Sequence, residues 1–302
     1  MAMGSVFLFL ASGDSLYVGA ALLLLAIAAS RHSAPPWLLL LLRIISWFAL
    51  AMMVMAAPPF AWLVDGIFLA AFGAWVLTSG QTVPLKQAKL HFAATVVLIA
   101  LLTVLPAMEF SHRSMPIVAG ERQDHITVIG DSISYGIGSK VTWPSVMQET
   151  IGVSVNNLAL PGATTADGIA MARKVGPEDR IVLVEIGGND LLGGTPSNVF
   201  GDNLDAILSQ VCKPGRTVVM FELPLLPHKI VFGHIQRRLS KKYGVYLIPK
   251  HFFTDVLGGP NATIDGLHLS DVGANRMADL VARALSPVLR TKPSGEHTAR
   301  WQ

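Results

Sequence analysis

Apolar residues run almost unbroken through four stretches in the first third of the chain, at roughly 6–29, 37–57, 60–79 and 90–108. Each comes close to the ~20 residues that a helix needs to cross a ~30 Å hydrocarbon layer. The breaks between them carry turn chemistry: Ser33-Ala34-Pro35-Pro36, Pro58-Pro59, and Gly80 through Pro84. From residue 111 the pattern changes. Short apolar, β-branched runs fall at 125–129, 153–158, 180–186, 216–222 and 245–249, with helical periodicity between and after them at 143–151, 165–175, 197–212, 230–243 and 271–285. Strands that are apolar throughout and alternate with helices predict parallel pairing under helices on both faces. The chain therefore reads as an all-α transmembrane region of about four helices (1–110) and a linker (111–123), followed by an α/β domain (124–287) and a tail (288–302). The α/β domain is expected to be a three-layer α/β/α sandwich on a five-stranded parallel sheet, with its functional residues at the carboxyl ends of the strands.

Composition sharpens this division. Charged residues make up 14% of the 302, against about 25% in an ordinary soluble domain. Residues 1–110 hold seven of them: Asp14, Arg31, Arg43, Asp65, Lys86, Lys89 and Glu109. That concentration argues against a wholly soluble enzyme, and the ordinary composition of the remainder argues against a pure channel. The first stretch lacks a basic segment ahead of it and is followed by three more, so it reads as a span and not as a cleaved signal. Arg31 in one loop, and Lys86 and Lys89 in another, mark the cytoplasmic side, whereas the 57–59 loop has neither Lys nor Arg. The expected arrangement is a multi-pass protein of a bacterial inner membrane, with everything after Glu109 periplasmic or extracellular. Arg43 lies near an inner helix end and can snorkel. Asp14 and Asp65 fall in the outer half, either lining a polar notch or sitting at the interface.

Net charge is only +3, without a basic stripe. Arg237, Arg238, Lys241 and Lys242 share helical spacing and read as a solvated face in preference to a nucleic-acid or anionic-lipid patch, so no nucleic-acid partner is expected. Cys212 is the single cysteine, which leaves no disulfide framework and no thiolate metal site.

The strand ends carry the chemistry. The first strand runs into Gly130-Asp131-Ser132, the second into Asn157 through Pro161-Gly162-Ala163-Thr164, the third into Gly187-Gly188-Asn189-Asp190, and Asp265-Gly266-Leu267-His268 precedes the last helix. Ser132 is a weak nucleophile until a base takes its proton. His268 can serve as that base, and Asp265 can orient its second ring nitrogen. A developing oxyanion needs preorganised donors. The N–H of Ser132, the N–H of Gly162 and the Asn189 amide supply three, with glycine at 162 keeping a Cβ away from the substrate. Asp131 and Asp190 read as loop-holding residues. His125, His228, His234 and His251 have no partners at ligand spacing, and neither a P-loop, a dinucleotide fingerprint nor a Gly-x-Ser-x-Gly elbow around Ser132 occurs. No metal or organic cofactor is expected. Gly13-Asp14-Ser15-Leu16 lies inside the first apolar stretch with no strand before it, and reads as coincidence.

The four ordered blocks resemble the SGNH hydrolases, also called the GDSL lipase/esterase family, over about residues 124–287. Trp143-Pro144 and Leu183 through Asp190 make the chain most similar to the bacterial thioesterase I/lysophospholipase L1 and arylesterase branch. The resemblance implies a flavodoxin-like SGNH fold, Ser132 as nucleophile, Asp265 and His268 as the acid/base pair, and an oxyanion hole of Ser132, Gly162 and Asn189. Members of that branch are usually soluble and secreted, which this chain departs from, and block one reads Gly-Asp-Ser-Ile in place of Gly-Asp-Ser-Leu. The expected activity is hydrolysis of carboxylic esters or thioesters (acyl lipids, lysophospholipids or O-acetylated glycans) by a membrane-anchored serine esterase. An acyl or acetyl transferase acting on an envelope or exported polysaccharide, and a non-catalytic binding module, remain the alternatives. Protein partners are not indicated.

Overall fold

The structure is a computed structural model that describes residues 2–30, 35–56, 58–59, 62–79, 84–225 and 229–290. Arg31, His228, Gly80 and the end of the tail from 291 lie outside the described residues. The chain divides into two compact units, one formed by 9–114 with 225–230, the other by 115–224 and 231–302 with 1–8.

Five helices precede the first strand: α1 (Ala2–Ala11), of which only the end belongs to the helical unit, then α2 (Ser15–Ala29), α3 (Pro36–Met55), α4 (Trp62–Thr78) and α5 (Leu85–Phe110). The single span expected over 6–29 is corrected to two helices. Gly13 takes φ 88°, in the left-handed region, and the Ser12 hydroxyl donates to the Phe9 carbonyl and to Asp14 Oδ2, each at 2.9 Å. These bonds give the backbone a local alternative to helix. The literal Gly-Asp-Ser-Leu sequence is thus the joint between α1 and α2. Of the described helices, α3 and α5 are long and apolar enough to cross a membrane, with 20 and 26 residues. Of the others, α2 and α4 have 15 and 17 residues. At 1.5 Å per residue those reach only about 22 and 25 Å.

The inner faces of this unit are apolar and buried: Leu16 and Leu23 on α2, Ala49 and Met53 on α3, Phe72 and Trp75 on α4, Leu98 and Leu102 on α5. Arg43 donates to the Ser79 carbonyl just after α4 at 2.5 Å, an interaction that suits the negative end of a helix dipole. Asp14 pairs with Arg113 at 2.7 Å, while Asp65 lines a mostly apolar cavity of about 170 Å³ with Leu16, Met53, Phe68 and Leu105.

The second unit runs β1 (His125–Gly130), α6 (Ser132–Tyr135), α7 (Trp143–Ile151), β2 (Ser154–Asn157), α8 (Thr165–Ala172), β3 (Ile181–Glu185), α9 (Gly188–Gly193), α10 (Ser197–Val211), β4 (Thr217–Phe221), α11 (Ile230–Tyr243), β5 (Tyr246–Ile248), α12 (Lys250–Gly258) and α13 (Asp271–Leu285). The five strands pair in the order β2-β1-β3-β4-β5, and every pairing is parallel. The central strands β3 and β4 are buried at every residue. Right-handed crossovers require connections that reverse direction along the sheet to lie on opposite faces. Accordingly α7, α12 and α13 share one core with Ile126, Val128, Leu183 and Val219. On the other side α10 meets α11 through Phe200 and Phe232, whose ring centroids stand 4.5 Å apart.

The segment read as a linker is packed. Val118 is buried in the core, and Ala119 N–H donates to the Tyr246 hydroxyl at 3.1 Å. Gln123 and the start of the tail pair with each other, Gln123 N–H donating to the Val288 carbonyl at 2.8 Å and Arg290 N–H to the Gln123 carbonyl at 2.7 Å. Those bonds move the α/β boundaries outward on both sides, because a short polar stretch beside a sheet gains ladder bonds that its composition does not announce.

Candidate active site

The strand order reverses between β1 and β3, and in open parallel sheets the crevice at that reversal, beyond the carboxyl ends, is where ligands bind. Ser132 follows β1 and Asn189 follows β3, so both stand at this point. Gly130 allows the sharp exit from β1. A Cβ there would come within 2.7 Å of the Ser134 Cβ and 3.2 Å of the Glu185 carbonyl. Asp131 caps α6, its Oδ1 accepting the Ile133 N–H at 3.0 Å.

Ser132 is nearly buried, and its Oγ lies 3.1 Å from His268 Nε2. His268 Nδ1 is 2.6 Å from Asp265 Oδ2. Asp265 Oδ1 accepts the backbone N–H groups of Leu267 and His268 at 2.9 and 2.8 Å, which locks the carboxylate plane to the loop that carries the histidine. The hydrogen bond from the His268 side chain, followed by those two N–H donors, pulls the Asp265 carboxyl down to about 2. Asp265 is therefore ionised at any working pH, and its acceptor capacity fixes the Nδ1–H tautomer of His268, leaving Nε2 to accept.

Asn189 joins the remaining two blocks. Its amide donates to the Ala163 carbonyl at 2.9 Å and stands 3.4 Å from Asp131 Oδ2, next in sequence to Gly162 and Ser132 respectively. The longer contact is weak, so one amide hydrogen is held and the other is available to a ligand. Asp190 ties the same two loops together, accepting the Thr165 N–H and hydroxyl, both at 2.7 Å. Gly162 adopts φ 68°, and a Cβ built on it meets nothing within 4 Å. Its left-handed backbone by itself calls for glycine at this turn.

Several residues of this neighbourhood carry no role in the sequence analysis. Asn157, ending β2, donates to the Ser134 carbonyl at 2.8 Å. Glu185, at the end of β3, accepts the Ser134 hydroxyl at 2.7 Å, and Trp143 Nε1 donates to that hydroxyl at 3.3 Å. The available signal was an acid closing an otherwise apolar central strand. Burial raises Asp131 to about 6, opposed by the Ile133 N–H and by His268, and burial followed by the Asp131 charge holds Glu185 well above the usual carboxylate range.

The other singled-out residues fall elsewhere. His125 pairs with Asp179 at 3.0 Å and His251 stacks on Phe252. Arg237 pairs with Glu222 and Lys242 with Asp205, each at 2.6 Å, so two of the four helix-face cations already have acidic partners. Cys212 is half-buried, and desolvation pushes its thiol up to about 11. Among the described residues no group of three His, Cys, Asp or Glu side chains stands close enough to hold a metal ion.

Residues 128–276 match the GDSL-like Lipase/Acylhydrolase family. An arylesterase of Vibrio mimicus is 29% identical over 182 residues, covering 55% of this chain and 90% of that protein. The thioesterase 1/protease 1/lysophospholipase L1 of Escherichia coli K12 is 28% identical over 178 residues, covering 55% and 85%. A crystal structure of TesA, 25% identical, superposes with a TM-score of 0.50 over 55% of this chain and 99% of its own. The shared portion corresponds to the α/β unit.

Proposed function

We propose, from the premise that this chain belongs to the GDSL-like lipase/acylhydrolase family and is a serine ester hydrolase, that Ser132, His268 and Asp265 are its catalytic residues. The carrying observation is the unbroken chain of contacts from Ser132 Oγ through both ring nitrogens of His268 to Asp265, at 3.1 and 2.6 Å. Ser132 Oγ attacks the ester carbonyl as His268 Nε2 takes its proton, giving a tetrahedral oxyanion. The N–H groups of Ser132 and Gly162 and the second amide hydrogen of Asn189 receive that oxyanion. Collapse transfers the proton from His268 to the departing alcohol or thiol and leaves an acyl ester on Ser132. Water, deprotonated by the same nitrogen, then releases the acid. No metal or organic cofactor takes part in this scheme.

Exposed apolar side chains next in sequence to the site support one substrate class. Tyr135, Leu160, Leu192, Ile264 and Leu267 are 41–59% exposed, and each lies within three residues of a proposed catalytic or oxyanion residue. Clustered exposed apolar side chains mark a surface that binds apolar matter. This favours acyl lipids and lysophospholipids over O-acetylated glycans. A p-nitrophenyl ester series from acetyl to decanoyl, run beside acetylated xylan, tests it. kcat/KM should climb with chain length and the glycan should release little acetate; a preference for acetyl esters would refute the lipid reading.

The helical unit is proposed to anchor the enzyme in a bacterial inner membrane. Its outward side chains are large and apolar: Leu25, Trp37, Phe48, Leu77 and Phe92 are each more than half exposed, a surface suited to lipid. In this reading α3 and α5 span the bilayer fully, α2 and α4 pack with them as shorter crossings, and the catalytic unit (115–290) lies on the periplasmic side, opposite Lys86 and Lys89. Alkaline phosphatase fused after residue 112 should be active and after Lys86 inactive; the reverse pattern would invert the topology.

A further inference from the structure

We propose that Glu185 is a positioning residue for the nucleophile, a buried carboxyl that holds the turn carrying Ser132 through the Ser134 hydroxyl. Glu185 pairs with Gly130 across the β1–β3 register, so its side chain sits directly beside the exit from β1. It is 4% exposed. Its carboxyl accepts the Ser134 hydroxyl at 2.7 Å. Ser134 stands two residues after Ser132 in the same turn. Ser132 is left with its Oγ directed to His268.

The chemistry of the group explains the choice. A carboxyl gives the Ser134 hydroxyl a strong acceptor at this buried strand end. Trp143 Nε1 and the Asn157 amide hold the far side of the same turn through the Ser134 hydroxyl and carbonyl, at 3.3 and 2.8 Å. An acid placed after Ile181–Val184, in a strand buried at every residue, costs desolvation that only such bonds offset. Burial and the Asp131 charge keep Glu185 protonated well above the usual carboxylate range, so a neutral amide is its nearest mimic. The turn is only four residues long and cannot hold its own geometry by helix cooperativity. Misplacing an attacking atom by about 1 Å costs on the order of 10²-fold in rate.

The inference rests on the Ser132 reading, and the experiment separates the two. Full-length Glu185→Ala, Glu185→Gln and Ser134→Ala are each titrated with a fluorophosphonate, and kcat for a short-chain ester is expressed per labelled site. Glu185→Ala should lose about 10²-fold in kcat per site, with KM within about threefold. Ser134→Ala, which removes the hydroxyl that bridges Glu185 and Trp143 and buries no new charge, should lose roughly tenfold. Glu185→Gln should recover to within about tenfold of the unmodified enzyme. The rate constant for phosphonylation should fall in the same order. Fewer labelled sites with unchanged kcat per site would mean that Glu185 serves folding alone, and would overturn the proposal. If Glu185→Ala yields no labelled sites, an unchanged kcat per site in Ser134→Ala overturns it equally. A Ser132→Ala protein that still labels would instead defeat the nucleophile assignment.

Discussion

Replacing Asp265 by Asn should cost more activity than replacing it by Ala, and the geometry sets both magnitudes. In the native loop Asp265 Oδ1 accepts two backbone N–H groups and Oδ2 receives His268 Nδ1 at 2.6 Å. Truncation to Ala removes a charge-assisted hydrogen bond, worth about 1.5–3 kcal/mol, or roughly 10- to 150-fold in rate. Asp265 is half exposed, so solvent screens its charge and the lower end of that range applies. In Asn the two backbone donors select the carbonyl oxygen, which turns the amide nitrogen toward His268. That nitrogen donates, so Nδ1 must accept and Nε2 must carry the proton, where it can no longer receive one from Ser132. Reversing the tautomer adds the net worth of a neutral hydrogen bond, about 0.5–1.5 kcal/mol. The total, about 2–3 kcal/mol, corresponds to roughly 30- to 160-fold. The assay is kcat/KM for one p-nitrophenyl ester at pH 7.5, with each preparation normalised by fluorophosphonate titration. Since Asp265 titrates at about 2, the ranking should hold from pH 5 to 9. An Asn variant as active as the Ala variant would refute the tautomer argument.

Ser132→Ala should abolish both ester hydrolysis and fluorophosphonate labelling, whereas Ser15→Ala, at the joint between α1 and α2, should change neither; labelling gels read both. Asn189→Ala should lower kcat by about 10²–10³ with KM within a few-fold, and steady-state kinetics showing a large KM rise at unchanged kcat would assign the amide to ground-state binding. Asp131 has its carboxyl raised to about 6, against about 3.9 in an unfolded chain. Between those values the folded state binds the extra proton, so stability is greatest below about pH 4 and falls as pH rises to about 6, by about 2–3 kcal/mol. Asp131→Asn keeps the oxygen that accepts the Ile133 N–H, and should flatten that slope in urea unfolding followed by proteolysis within 115–290. An unchanged slope would show that the burial penalty resides elsewhere.

The chain read alone carries local information. Continuous apolar runs specified five parallel strands, and the helical repeat placed α7, α10, α11 and α13 within a residue or two of where they form. The side chains proposed for the site, Ser132, Asn189 and the Asp265–His268 pair, stood out because serine, asparagine and an Asp-x-x-His pair have few other reasons to recur together after strands. Tertiary structure decided what depends on residues far apart in the chain. The Ser132–His268 contact spans 136 positions, and nothing in either segment encodes its 3.1 Å distance. Asn189 meets Ala163, and Glu185 meets the turn after β1, only because β3 lies beside β1 in the order β2-β1-β3-β4-β5. The helix break at Gly13 was hidden for the opposite reason. An apolar run reads as one span by composition, whereas one left-handed glycine and two short polar side chains redirect it. Composition records which environment a segment prefers; the hydrogen bonds that close a turn or pair a linker with a sheet are settled only when distant backbones meet.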